Sequence, residues 1–292
     1  MTVAEFETQR GRLFGLAYRL IGSAEEAEDV VQDAFLRWNG VDQHEIERPS
    51  AWLAKVVTNL SLNRLTSARA RRERYVGPWL PEPVAASSGD LGPLETAEQR
   101  DSVSFAMLVL LERLTPTERA VFVLREAFGH SYAEIADVLS LTEPNCRQLH
   151  RRAGQRLAES RPRFSPDADQ RRRLVERFLA AAEEGDVDGL TELLTADVVS
   201  WSDGGGKVRA GRRPVYGRDK VIRLYRGMYR KYLTDVQVTI EEVNGDPAVA
   251  GWYGGKLLGV LLPEFGDGRI QALRAVANPD KLRYLEGQLR HE

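Results

Sequence analysis

The segment VGPWLPEPVAASSGDLGPLETAEQR (76–100) constrains this chain more than any other. Its four prolines remove backbone donors and fix φ, so neither a continuous helix nor a central strand can run through it. It reads as a linker between two separately folded blocks. Trp79 and Leu80, inside WLPEP (79–83), are unusual in a purely flexible spacer and point to a segment that lies against a surface. At 292 residues the chain has room for two or three domains at roughly 150 residues each.

Residues 1–75 carry helical periodicity. Phe6, Leu13, Ala17 and Leu20 lie near helical spacing, and Gly22 stops that helix. Ser23, three residues before Glu26, opens a second helix with Ala27, Val31, Ala34 and Trp38 on one face. A third starts after Pro49 and carries Leu53, Val56, Val57 and Leu60. Helices return over 101–162: Thr115-Pro116 with Glu118, and Ser131 with Glu134, are capping boxes, and Thr142 opens a further helix. After 170 one helix (Leu174, Val175, Phe178, Ala181) ends at Gly185. Alternating runs come next at 198–201 and 236–240, then a glycine-broken apolar stretch at 248–262 and a run at 269–277. Asp267-Gly268 reads as a hairpin turn, and the pattern predicts a separate α+β domain over 171–292.

Tyr132, Ile135, Ala136 and Leu139 form an apolar stripe, and Ser140-Leu141-Thr142 separates it from the next helix, the turn length of a helix-turn-helix. The second helix offers Cys146, Leu149, Ala153 and Leu157 to a core. Its other faces carry Asn145, Arg147, Gln148, His150, Arg151, Arg152 and Arg156. Arginine forks match guanine and side-chain amides match adenine in the major groove. An αα-hairpin with a solvated basic face is the alternative that pattern alone leaves open.

Charge is uneven in the first block. Residues 1–47 hold four arginines against ten acids, whereas 48–74 hold Arg48, Lys55, Arg64, Arg69, Arg71, Arg72 and Arg74 against Glu73 alone. Such a stripe is the footprint of a nucleic-acid backbone site, with Trp52 and Tyr75 available for stacking; Trp38 is assigned to the core of the three helices, which Trp52 could equally help to fill. Asp29, Gln32 and Asp33 share one helix face, which suits either solvent or a basic protein partner. The single cysteine, Cys146, excludes a disulfide framework or a cysteine-rich metal site and reads as a core residue. The four histidines show no ligand spacing, so neither a metal nor a cofactor is expected. The absence of an apolar run near 18 residues and of a signal-peptide pattern predicts a soluble, cytoplasmic protein.

On these residues the chain resembles a known family. EDVVQDAFLRWNG (28–40) with RPSAWLAKVVTNLSLNRL (48–65) resembles region 2 of a sigma-70 family factor. LTPTERAVFVLREAFGHSYAEIADVL (114–139) with the following helix resembles its region 4. The order and spacing are those of a short extracytoplasmic-function sigma factor without region 3. WLPEP, DGGGK (203–207) and NPDKL (278–282) resemble marks of the sigma-J-like branch, which has a fused SnoaL-like C-terminal domain.

The resemblance implies a promoter-specificity subunit of RNA polymerase, binding the core enzyme at its β′ clamp and β flap. Asp29, Gln32 and Asp33 would dock on the clamp, Asn59, Asn63 and Arg64 would meet the −10 element, and Asn145, Arg147, Gln148, Arg151 and Arg152 would read the −35 element. It implies the fold class as well: two all-α domains (1–75 and 101–162) followed by an α+β domain built on a cone-shaped curved sheet closing a cavity.

Some relatives with that cone are polyketide cyclases or isomerases, whose chemistry needs a buried carboxylate opposite a proton donor. Asp203 is the nearest candidate, but the three glycines after it read more simply as a shaped loop, so no enzyme is expected. The expected role is regulation in cis without a separate anti-sigma protein. WLPEP (Trp79, Leu80, Pro81, Glu82 and Pro83) would be the exposed contact between the promoter-binding helices and the tail, with Trp79 and Leu80 in an apolar cleft rimmed by Asp203, Gly204, Gly205, Gly206 and Lys207 and by Asn278, Pro279, Asp280, Lys281 and Leu282. The cavity leaves room for a small-molecule ligand. A one-component regulator sensing such a ligand without joining polymerase is the competing reading, although it has no need of the EDVVQDAF helix. A bifunctional enzyme and regulator is a third, and would require turnover by the tail.

Overall fold

Helix α1 (Val3–Ile21) stops where Gly22 turns into the left-handed region at φ 76°. The Ser23 side chain then accepts from the N–H of Glu26 at 3.2 Å and starts α2 (Ala24–Asn39). Helix α3 spans Pro49–Arg72. After the linker come α4 (Phe105–Leu111), α5 (Pro116–Glu126), α6 (Tyr132–Leu139) and α7 (Glu143–Ala158). Helices α5 and α6 open on complete reciprocal capping boxes, Thr115 with Glu118 and Ser131 with Glu134. This computed structural model describes residues 3–42, 46–72, 74–85, 91, 99, 101–158, 166–233 and 235–290, without the side chains of 3–5, 68–71 and 233. His44, His291 and the side chains of Arg69 and Arg71 lie outside the described residues.

The chain divides into two units: Met1–Glu73 with Ala86–Arg161, and Arg74–Ala85 with Pro162–Glu292. In the first, α1 packs on α2 and α3 and also on α5, so its second half, Leu13 to Ile21, is buried all round. Trp38 is 1% exposed and in the core, and half-buried Trp52 meets it edge-on from the core's margin with centroids 5.5 Å apart. The burial of α1 includes Arg19, whose guanidinium donates to Ser102 Oγ (2.8 Å) and to the carbonyls of Gly15 (3.0 Å) and Leu91 (2.6 Å). Burial lowers its pKa to about 10. Arg119, also buried, donates to the Arg19 carbonyl at 2.9 Å, and Glu112 pairs with both Arg119 and Arg72. No described helix is long and apolar enough to cross a membrane.

In the second unit α8 (Ala168–Glu184) opens on Asp167 and closes at Gly185, the stop expected from the sequence, and α9 (Val187–Leu193) comes next. The sheet comprises β1 (Leu194–Asp203), β2 (Val215–Tyr216), β3 (Gln237–Val243), β4 (Asp246–Tyr253), β5 (Lys256–Gly266) and β6 (Arg269–Val276). Between β2 and β3 lie α10 (Arg218–Met228) and a π-helical turn, Tyr229–Leu233; α11 (Pro279–Arg290) ends the unit. Asp267 and Gly268, both at positive φ, make the expected hairpin. Asn244-Gly245 and Gly254-Gly255 make two more that were not expected, the second splitting the apolar stretch 248–262 into β4 and β5.

The expected cone-shaped curved sheet is not what forms. The strand order β2-β1-β6-β5-β4-β3 is an open mixed sheet, with only the β1–β6 pair parallel among the described strands. Closure would require the two edge strands to meet. Instead β2 is a two-residue edge, and β3 at the far edge takes a single bridge, Val243 to Ala85. The helices cover one face with a packed core that includes Leu174, Phe178, Leu190, Val198, Tyr225 and Leu273. Tyr225, buried there, has its phenol pushed up to about 12 by that burial.

Candidate functional site

On α2, Asp29 and Gln32 are exposed and Asp33 is half-buried, while Ala27, Val30, Val31 and Ala34 hold the opposite face in the core. One residue was missed in the sequence. Leu36, 67% exposed, continues the same face seven residues after Asp29. Its departure from the stripe of Ala27, Val31 and Ala34 was the available signal. Arg64 reaches across from α3 to Asp33 Oδ2 at 2.8 Å and to Asp29 Oδ2 at 3.1 Å. The acidic face and the arginine expected on the −10 surface therefore form one ion-paired cluster.

Asn59 and Asn63 stand exposed one turn apart on α3. Of the cationic stripe around them, Arg48, Lys55, Arg64 and Arg72 lie against acids inside the unit. Arg48 lies 4.0 Å from Glu134 and Lys55 lies 3.6 Å from Asp137, both acids on α6, while Arg72 pairs with Glu112. Tyr75 and Arg74 belong to the second unit.

The helix-turn-helix forms over α6 and α7. Its turn places Ser140 in the left-handed region at φ 54°, and the Thr142 hydroxyl accepts from the Asn145 N–H at 3.4 Å. Cys146, Ala153 and Leu157 are buried and Leu149 is half-buried; burial raises the Cys146 thiol pKa. Asn145, Gln148, Arg151 and Arg152 are exposed. Three of the polar residues on this helix are held by neighbours. Arg147 pairs with Glu143 at 2.7 Å and lies over the Tyr132 ring, His150 contacts Tyr132 and Glu126, and Arg156 pairs with buried Glu118.

In the second unit the WLPEP segment is a strap fastened to the fold. Asp203, at the end of β1, has no exposed surface. Its carboxylate accepts from the Tyr75 hydroxyl (2.5 Å), the Leu80 N–H (2.9 Å), the Gly205 N–H (3.1 Å) and the Lys281 ammonium (2.7 Å). Lys281, on α11, also donates to the Leu80 carbonyl and lies 4.1 Å from the Trp79 ring centroid and 4.8 Å from that of Tyr75. The apolar cleft expected for Trp79 and Leu80 is thus floored by an ion pair. The backbone of Leu80 is clamped through both its polar groups, and a peptide that buries them needs such partners.

The two loops rim this clamp. Asn278 donates to the Tyr75 oxygen at 2.8 Å, Lys207 pairs with Asp280, and the N–H groups of Ala277 and Asn278 bond the Asp203 carbonyl. Gly205, at φ 58°, permits the closeness: a Cβ there would stand 2.3 Å from Asn278 Nδ2. Gly204 is buried and Gly206 also has positive φ. Pro81, Glu82 and Pro83 are buried, as is Leu282, and Pro279 is the first residue of α11. Beyond the motif, Val84 exchanges bonds with Asn244, and the Ala85 N–H donates to Gln288. Burial, aided by the hydrogen bond to Asp203, raises the Tyr75 pKa above that of an ordinary phenol. Among the described residues no cluster of three or more His, Cys, Asp or Glu is placed to hold a metal ion.

Comparison with known proteins agrees with the modules. Residues 6–71 match sigma-70 region 2, residues 104–157 match sigma-70 region 4, and residues 175–278 match a SnoaL-like domain. The chain is 39% identical to the ECF RNA polymerase sigma factor SigJ of Mycobacterium tuberculosis, over 96% of this chain and 93% of that protein. It is 34% identical to a probable ECF RNA polymerase sigma factor, SigI, of the same species, over 98% and 96%. The crystal structure of M. tuberculosis SigJ superposes with a TM-score of 0.78 at 35% identity, covering 97% of this chain and 99% of that one. The chain belongs to the ECF sigma factors of the sigma-70 family, in the group that carries a fused SnoaL-like domain.

Proposed function

We propose that this sigma factor directs RNA polymerase core to its promoters through the two helical modules, and that the SnoaL-like domain regulates that activity in cis. The face of Asp29, Gln32, Asp33 and Leu36 docks on the β′ clamp: an exposed leucine beside two carboxylates combines apolar burial with attraction to a basic partner. Asn59, Asn63 and Arg64 meet the −10 element, Arg64 after release from its acids. Asn145, Arg147, Gln148, Arg151 and Arg152 read the −35 element, with region 4 against the β flap. Asp203 serves as a structural anchor rather than a general base, because its oxygens are already engaged by four donors.

One observation carries the regulatory reading: the chain that leaves region 2 at residue 74 is built into the C-terminal fold by the clamp of Asp203 and Lys281 on Leu80. Any change in that fold is felt directly by the tether between the modules, at the high effective concentration of an intramolecular contact. Run-off transcription with core polymerase, comparing the full chain with a truncation before residue 170, tests it. Altered promoter output at equal protein level is expected. Equal output would remove the cis role, and no initiation by either protein would remove the promoter role.

A further inference from the structure

The densest positive charge in the chain lies on the C-terminal unit, outside the helical modules. Between Lys207 and Lys231 ten of 25 residues are Lys or Arg and one, Asp219, is acidic, in a chain whose net charge is −2. Most of these cations are exposed. Arg223, Arg226 and Arg230 recur every three to four residues along α10 and its π-helical continuation. With Lys231 they line an open groove of about 730 Å³ whose other walls are Val187, Ile222, Gly227 and one carboxylate, Asp219, so four cations face a single acid.

Those four cations form no ion pair with a carboxylate among the described residues, unlike Arg48, Lys55, Arg64 and Arg72 of region 2. The turn beside the groove carries four exposed acids: Glu183 accepts from Tyr229, Asp186 caps the Gly189 N–H, and Glu184 and Asp188 flank them without an ion pair to the four cations. Arg209, exposed in the loop after DGGGK, reaches the Tyr232 hydroxyl beside Lys231 and so continues the positive charge past the groove.

We propose that this surface of the SnoaL-like domain binds the phosphate backbone of duplex DNA without reading sequence. Guanidinium groups spaced along one helix face suit successive phosphates, each as a forked donor. The extent of the charge beyond the groove fits a polyanion rather than a single small phosphate ester. A membrane surface fits less well, because the apolar side of α10 (Val221, Ile222, Tyr225) is buried in the domain and has nothing to insert.

The test is the salt dependence of binding by the full chain to a duplex of arbitrary sequence, from about 50 to about 200 mM salt. The wild type is compared with the triple variants Arg223→Gln/Arg226→Gln/Arg230→Gln and Arg223→Lys/Arg226→Lys/Arg230→Lys. Each phosphate contact contributes a slope of about 0.9 in log K against log salt, so the glutamine variant is expected to lose about 2 to 3 from the slope and the lysine variant to keep it. These side chains are exposed, so the fold is expected to survive, which circular dichroism checks. An unchanged slope in the glutamine variant, or no binding by the wild type at the lowest salt, overturns the proposal. So does capture by phosphatidylserine vesicles that the variant loses while its DNA binding is unaltered.

Discussion

Arg64 on α3 holds the carboxylate of Asp33 on α2 at 2.8 Å, with Asp29 at 3.1 Å, so the proposed polymerase face and the proposed −10 face share one ion-paired cluster. Partner exposures of 28% for Arg64 and 44% for Asp33 leave the bond open to water, so its own contribution to stability is below about 1 kcal/mol. Asp33→Arg is expected to abolish core binding in a pull-down while leaving the melting temperature within a few degrees of wild type. Retained affinity for core polymerase would refute the docking assignment.

The Asp203–Lys281 pair stands in the opposite regime, at 0% and 7% side-chain exposure. Lys281→Met leaves a buried carboxylate without its counter-charge and is expected to cost about 3–5 kcal/mol in denaturant unfolding of the full chain. It should also open the strap at residues 74–85 to protease. Replacing both partners, Asp203→Leu with Lys281→Met, should recover part of the loss in unfolding free energy, since no lone charge is then buried. A double variant less stable than the single one would contradict the clamp.

Tyr75 donates its proton to Asp203, and its pKa is raised above the ordinary phenol value, first by burial and then by that bond. A group whose folded pKa is raised contributes its stability fully below its unfolded pKa, about 10 for tyrosine, and loses it as pH climbs through the folded value. Strap protection should therefore be constant through neutral pH and fall only in the alkaline range. Tyr75→Phe should lower stability at neutral pH by about 1 kcal/mol and flatten that alkaline fall. Urea titrations at neutral and alkaline pH report both effects; equal slopes with pH for the two proteins would exclude the bond.

Ser140 closes α6 in the left-handed region, which costs a residue with a Cβ roughly 1–2 kcal/mol. Ser140→Gly should accordingly stabilise the helix-turn-helix, or at worst leave it unchanged once the glycine's greater unfolded-state entropy is counted. Thermal melting of the full chain measures it. A large destabilisation would mean that the Ser140 side chain has a role beyond the turn.

The division between sequence and structure tracks distance along the chain. Caps at Thr115–Glu118 and Ser131–Glu134, stops at Gly22 and Gly185, the Asp267-Gly268 hairpin and the stripes of α2 and α6 act over a few residues, where propensity and spacing are decided locally. These, with the matched motifs of regions 2 and 4, were legible without coordinates. Asn244-Gly245 and Gly254-Gly255 carried the same local signal, and reading them would have separated β3 from β4 and β4 from β5.

What brings Arg64 to Asp33 across 31 residues, Lys281 to Asp203 across 78, and Tyr75 to Asp203 across 128 is packing of whole elements. Composition shows that a charge exists but not which opposite charge will face it. The sequence alone therefore determined the helices of regions 2 and 4, the helix that ends at Gly185, their caps and the family, whereas α9, α10 and α11 were not anticipated. Only the tertiary structure decided that the sheet stays open, that much of the region 2 cationic stripe is matched internally, and that WLPEP rests on an ion pair, because each depends on where burial removes water from groups far apart in the chain.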